Sequence, residues 1–153
     1  MRLTSAAGVL FASVVLVGCQ ETFEKQFDSM AEREAHGMVA RGWIPSGLPP
    51  NGTNARVRWN IDNNLVRGTM TVPEDELALL DESLDLVPDD ATIPFHTRGF
   101  VTPSWWPSEL RPPKRSSEFR SRGWQLYATR EWPEAFVAVR LSDRQLFFWS
   151  EGG

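Results

Sequence analysis

Proline placement limits what this chain can build more than any other feature. Prolines 88, 94, 103, 107, 112 and 113 all fall within residues 85–123. Each fixes φ and removes a backbone donor, so this stretch holds neither a long helix nor a central strand. A segment of that length inside a compact domain is functional, a linker or a set of short elements. The run Trp43-Ile44-Pro45-Ser46-Gly47-Leu48-Pro49-Pro50 is barred from helix on the same grounds, and its apolar side chains are expected to plug the edge of a core.

Regular structure must come from the segments between. Ser29 followed by Glu32 forms a capping box, and Gly42 after Arg41 supplies a C′ glycine, which predicts a helix over 29–41. Gly37 falls inside that helix and weakens it by about 1 kcal/mol. Val57, Trp59 and Ile61 alternate with Arg58, Asn60 and Asp62, the period of a strand. Asn63-Asn64 turns the chain and residues 65–72 return it, with Gly68 a candidate bulge. Pro73 and three acids open a second helix over 73–84, with Leu77, Leu80 and Leu84 as its apolar stripe. Residues 124–128, 135–141 and 145–150 read as strands. The expected fold is α+β, with an N-terminal and a mid-chain helix covering one face of an antiparallel sheet of about five strands, a hairpin plus a C-terminal meander.

The first residues read as an address. Met1-Arg2 is a positive start, residues 6–17 are apolar apart from Ser13, and Gly18 precedes Cys19, the single cysteine of the chain. That apolar run is shorter than the roughly 20 residues needed to span a bilayer, and it matches a secretory signal. Leu16-Val17-Gly18-Cys19 resembles the lipobox of bacterial lipoproteins. The resemblance implies diacylglycerol on Cys19, cleavage before it and a membrane partner through the lipid. The absence of Asp after the cysteine implies the outer membrane, facing the periplasm. The expected organisation is a signal peptide at 1–18, a lipidated tether at 19–28 and one α+β domain at 29–151. Gly42-Trp43-Ile44-Pro45, Leu48-Pro49-Pro50 and Trp59-Asn60-Ile61-Asp62 with Asn64 resemble a pattern of small bacterial lipoproteins over about residues 36–72. This likeness implies a shared fold and carries no catalytic residue.

Composition narrows the function. The 153 residues carry a net charge of −4, against a nucleic-acid binder working by bulk electrostatics. Motifs for a serine hydrolase, a zinc protease, a phosphate loop or a dinucleotide site are absent, and no cofactor is implied. His36 reads as a helix-surface residue, and His96, in the long loop, would serve an envelope hydrolase only with a carboxylate from elsewhere. Asp62 with Asn60, Asn63 and Asn64 offers oxygens for calcium, but hairpin-turn chemistry explains the same residues and no metal site is expected. Eight acids between Glu74 and Asp90 and five bases between Arg111 and Arg122 are solvated faces, or meet each other, or meet external partners, which for the basic stretch are anionic headgroups or the anionic cell wall. Of seven tryptophans, Trp43, Trp59 and Trp124 are expected in the core, and Trp105 and Trp106 on a partner-binding surface. The expected function is a non-enzymatic, lipid-anchored envelope protein that binds a macromolecule; a toxin-neutralising lipoprotein would use the same surface.

Overall fold

The computed structural model describes residues 21–95, 100–111, 114–130 and 135–150. Strands dominate. Seven form one antiparallel sheet in the order β1 (Thr22–Phe27), β2 (Thr53–Asn60), β3 (Val66–Thr71), β9 (Gln145–Ser150), β8 (Ala135–Arg140), β7 (Trp124–Ala128) and β4 (Asp85–Leu86). A second ladder pairs β5 (Thr92–Ile93) with β6 (Lys114–Arg115). The helices are short: α1 (Met30–Ala35), α2 (Leu77–Ser83), entered through a 3₁₀ turn at Glu74–Glu76, and α3 (Ser116–Arg120).

The α+β expectation is therefore corrected to a mostly β fold with small helical pieces, for three local reasons. Residues 22–27, read as tether, pair over their whole length with β2. The predicted 29–41 helix stops at Ala35, because Gly37 is its C′ residue and not a mid-helix glycine. Gly37 takes φ +63°, its N–H donates to the Glu34 carbonyl at 2.8 Å, and the Met38 N–H donates to the Arg33 carbonyl at 3.2 Å. These are the two bonds of a Schellman motif. The motif recurs five residues on, where Gly42 (φ +75°) donates to Val39 and Trp43 to Met38. Gly68 marks no bulge; the irregularity in β2 lies between Thr53 and Arg56, where Asn54 takes φ +51°. Gly68 instead makes room for the Phe148 ring, which a Cβ there would meet at 2.0 Å.

The third reason is that both faces of the sheet are covered. On one face Phe27, Ala55, Val57, Val66, Met70, Val137, Val139, Leu146 and Phe148 pack with Ile44 and Leu48 of the proline-rich run and Leu80 and Leu84 of α2. On the other, Trp124, Leu126, Ala138, Phe147 and Trp149 pack with Val87, Ile93, Phe95, Trp106, Leu110 and Phe119. The proline-rich stretch is thus a cap made of short elements. Its acidic and basic ends meet: Arg120 pairs with Asp89 and donates to the Val87 carbonyl, while the Ser116 N–H donates to Ala91 at 2.9 Å.

Candidate functional site

Strand alternation sorts the capped face into rows running across the sheet. One row reads Gln26, Arg56, Thr69, Phe147, Ala138, Leu126. The next reads Glu24, Arg58, Arg67, Trp149, Phe136, Ala128. On the other side lie Thr71, Gln145, Arg140 and Trp124. The first two rows change from polar to apolar between β3 and β9, and the third only at β7, with Trp124. The cap covers the apolar half, and the polar half stays open. It forms a groove of about 440 Å³ lined by Gln26, Asn54, Arg56, Thr69, Arg140, Gln145, Phe147 and Trp105.

Arg67 holds the border. Its side chain is fully buried, lies over the rings of Phe95, Phe100 and Trp106 at 4.5, 5.5 and 5.7 Å, and donates to the Val66 and Ser150 carbonyls. A guanidinium removed from water and placed over aromatic faces contributes about 2 kcal/mol per good contact. Three further bonds pin the cap: Trp149 Nε1 to the Pro94 carbonyl, Arg58 to the Val101 carbonyl, and Trp105 Nε1 to the Glu24 carboxylate at 3.0 Å. Trp105 is thereby fixed as one wall of the groove.

The two tryptophans expected on a surface separate. Trp105 is half-buried at the groove, whereas Trp106 is 2 % exposed and sits edge-on to Phe147 and Trp149 in the core. Trp106 is removed from the candidate surface, because the cap folds its ring under Trp105. Trp124 is buried as expected, and Trp43 and Trp59 are partly buried against the first core. Cys19 and His96 lie outside the described residues. His36 is exposed, with Nε2 2.6 Å from Lys25 Nζ. The 60–64 turn is spent on itself: Asn60 Oδ1 accepts from the N–H groups of Asp62 and Asn63, and Asp62 accepts from the Glu21 N–H. Among the described residues no three His, Cys, Asp or Glu are grouped to hold a metal, and no helix is long and apolar enough to cross a membrane.

Electrostatics single out one groove residue. Arg140 is held by Asp143 in a two-pronged pair (2.7 to 3.1 Å), which raises the guanidinium pKa and lowers that of the carboxyl. Arg58 faces Glu24 at 3.6 Å. Arg56 is exposed and has no ion pair or side-chain hydrogen bond among the described residues. Gln145 and Thr69 are preset by their own bond, Nε2 to Oγ1 at 2.6 Å, with Thr69 donating on to the Leu146 carbonyl. The groove is a polar, weakly cationic surface edged by one indole. Sequence reasoning missed Gln26, Arg56, Thr69, Arg140 and Gln145. The available signal was the change along β9 from Gln145 to Phe147 and Trp149 on one face, which marks where a cover begins.

Residues 21–70 match the family model of the YbbD head domain, a bacterial envelope-associated family. The match spans about a third of the chain and overlaps the 36–72 segment that resembles small lipoproteins. It takes in β1, α1, β2 and most of β3, and so supplies Gln26, Asn54, Arg56 and Thr69 of the groove. Trp105, Arg140, Gln145 and Phe147 come from outside it. No curated protein and no solved structure matches the chain.

Proposed function

We propose that this protein is a non-enzymatic binding module of the bacterial envelope, anchored by lipid at Cys19 to the periplasmic side of the outer membrane. The observation that carries the binding reading is the open polar half of an otherwise covered sheet face, walled by Trp105. A soluble domain gains by covering its sheets. Here a cap of about thirty residues is pinned at four points and stops where the polar rows begin. The anchor reading rests on Leu16-Val17-Gly18-Cys19 and the apolar run before it.

The experiment is a capture from detergent-solubilised envelopes with the full chain, wild type against Arg56→Gln and Trp105→Leu. Envelope material retained by wild type and lost by both variants supports the reading. Identical retained material from all three overturns the groove as the binding surface.

A further inference from the structure

The groove's chemistry specifies its ligand class. We infer that it takes a saccharide chain bearing carboxylates, with Arg56 receiving the carboxylate and Trp105 forming the wall against which a sugar ring lies. This deepens the binding reading above and rests on it.

Charge comes first. The neighbouring cations have partners, Arg58 with Glu24 and Arg140 with Asp143, whereas the Arg56 guanidinium has none among the described residues and faces the groove ready to meet an incoming anion. Guanidinium geometry suits a two-pronged carboxylate contact. Apart from the paired Arg140, the remaining polar lining is uncharged: the amides of Gln26 and Asn54, and the Gln145 amide and Thr69 hydroxyl, which are held by their own mutual bond. Such a set matches the mixed donors and acceptors of sugar hydroxyls. An aromatic side chain beside polar groups completes a surface for a ligand that is apolar on its ring face and polar at its edge.

The same geometry disfavours an acidic peptide. Peptides bind sheets chiefly by adding a strand to a free edge, where backbone groups are available. The groove lies on a face over β1, β2, β3, β9 and β8, where the ladders of β2, β3, β9 and β8 are paired on both sides. The one free backbone edge beside it is that of β1, where Glu24 and Lys25 place charges that discourage a further strand.

The test is calorimetric titration of the full chain in detergent with an oligomer of galacturonic acid, its methyl ester and oligoglutamate. The uronate is expected to bind saturably, and its ester and oligoglutamate at least tenfold more weakly. Arg56→Gln is expected to weaken uronate binding about tenfold, or about 1.4 kcal/mol, with the ester little affected. Trp105→Leu is expected to weaken both sugars. Thermal unfolding of each variant checks that the fold is retained; Arg56→Lys, which keeps the charge, should restore part of the binding if Arg56 acts on the ligand. Equal binding of ester and uronate overturns the carboxylate assignment. Equal or tighter binding of oligoglutamate overturns the saccharide class, and no uronate binding overturns both. Each of these leaves the broader binding reading standing if Arg56→Gln still loses envelope material in the capture experiment, and that reading falls only with an unchanged capture.

Discussion

Gly68→Ala isolates the packing that lets β3 sit at the middle of the sheet. Gly68 has no left-handed backbone requirement, so helix-and-strand propensity predicts that alanine stabilises it, by about 0.5–1 kcal/mol in unfolded-state entropy. Sterics oppose this. A Cβ at Gly68 would stand 2.0 Å from Phe148 Cζ and 2.4 and 2.5 Å from its two Cε atoms. Phe148 is 0 % exposed and set among Val57, Val137 and Leu146, so the ring has no space to swing into. Overpacking of this kind costs about 1–3 kcal/mol, and contacts this close belong at the top of that range. The net expectation is a loss of about 2 kcal/mol, or a fall in Tm of about 6–10 °C for a domain of this size. Urea unfolding followed by tryptophan fluorescence measures it. Phe148→Leu in the same chain should recover at least about 1 kcal/mol of the Gly68→Ala loss as a coupling term. A neutral or stabilising Gly68→Ala, or simple additivity of the two changes, refutes the packing account.

Other expectations follow from single sites. Cys19→Ser should leave the precursor uncleaved with residues 1–18 attached, since only the thiolate accepts diacylglycerol; mass spectrometry of the N-terminal peptide and detergent partitioning read it, and a soluble native protein with unmodified Cys19 contradicts the anchor. Arg33 is fully buried, its pKa pulled down to about 10 chiefly by that burial; among the described residues its guanidinium bonds the Gly52 carbonyl and the Met70 sulfur, and Nε has no partner. Arg33→Met should change stability by less than about 1 kcal/mol or improve it, because an apolar group of similar length removes a desolvated charge; a loss above about 2 kcal/mol shows that the guanidinium is required. The Arg140 guanidinium holds the Asp143 carboxyl below its ordinary 3.8. That contribution is complete above the unfolded value and is lost as pH falls through the lowered folded one. Asp143→Asn should therefore flatten the acid limb of the stability profile while changing it little at its base, given the pair's exposure.

Much of the sheet was legible from period-2 patterning and turn residues. The strands at 124–128, 135–140 and 145–150 and the hairpin joining β2 to β3 lie where Gly, Asn and Asp punctuate alternating segments. The first helix was over-read because two glycines five residues apart, Gly37 and Gly42, look alike in sequence. The Gly37 N–H meets the Glu34 carbonyl and the Met38 N–H the Arg33 carbonyl, which ends the helix before Gly42 is reached. Strand β1 escaped because Thr22–Phe27 is polar at its centre: Glu24 and Lys25 suit a sheet edge, where charge discourages further pairing, as well as they suit a tether. The groove was hidden for a different reason. Its residues belong to five strands and one loop, and only the register places Arg56 beside Thr69 and Arg140 beside Gln145. A polar row is indistinguishable in sequence from a solvated one until the end of its cover is known.

Binding at the open polar rows is tested most directly by site-specific photo-crosslinking in intact cells. A photoreactive residue at Gln26, exposed in the groove, is compared with one at Ala78, exposed on α2, which packs on the opposite face. Binding in the groove gives crosslinked envelope material from position 26 that disappears when Arg56 is glutamine, and none from position 78. Equal crosslinking from both positions, or from 78 alone, contradicts it.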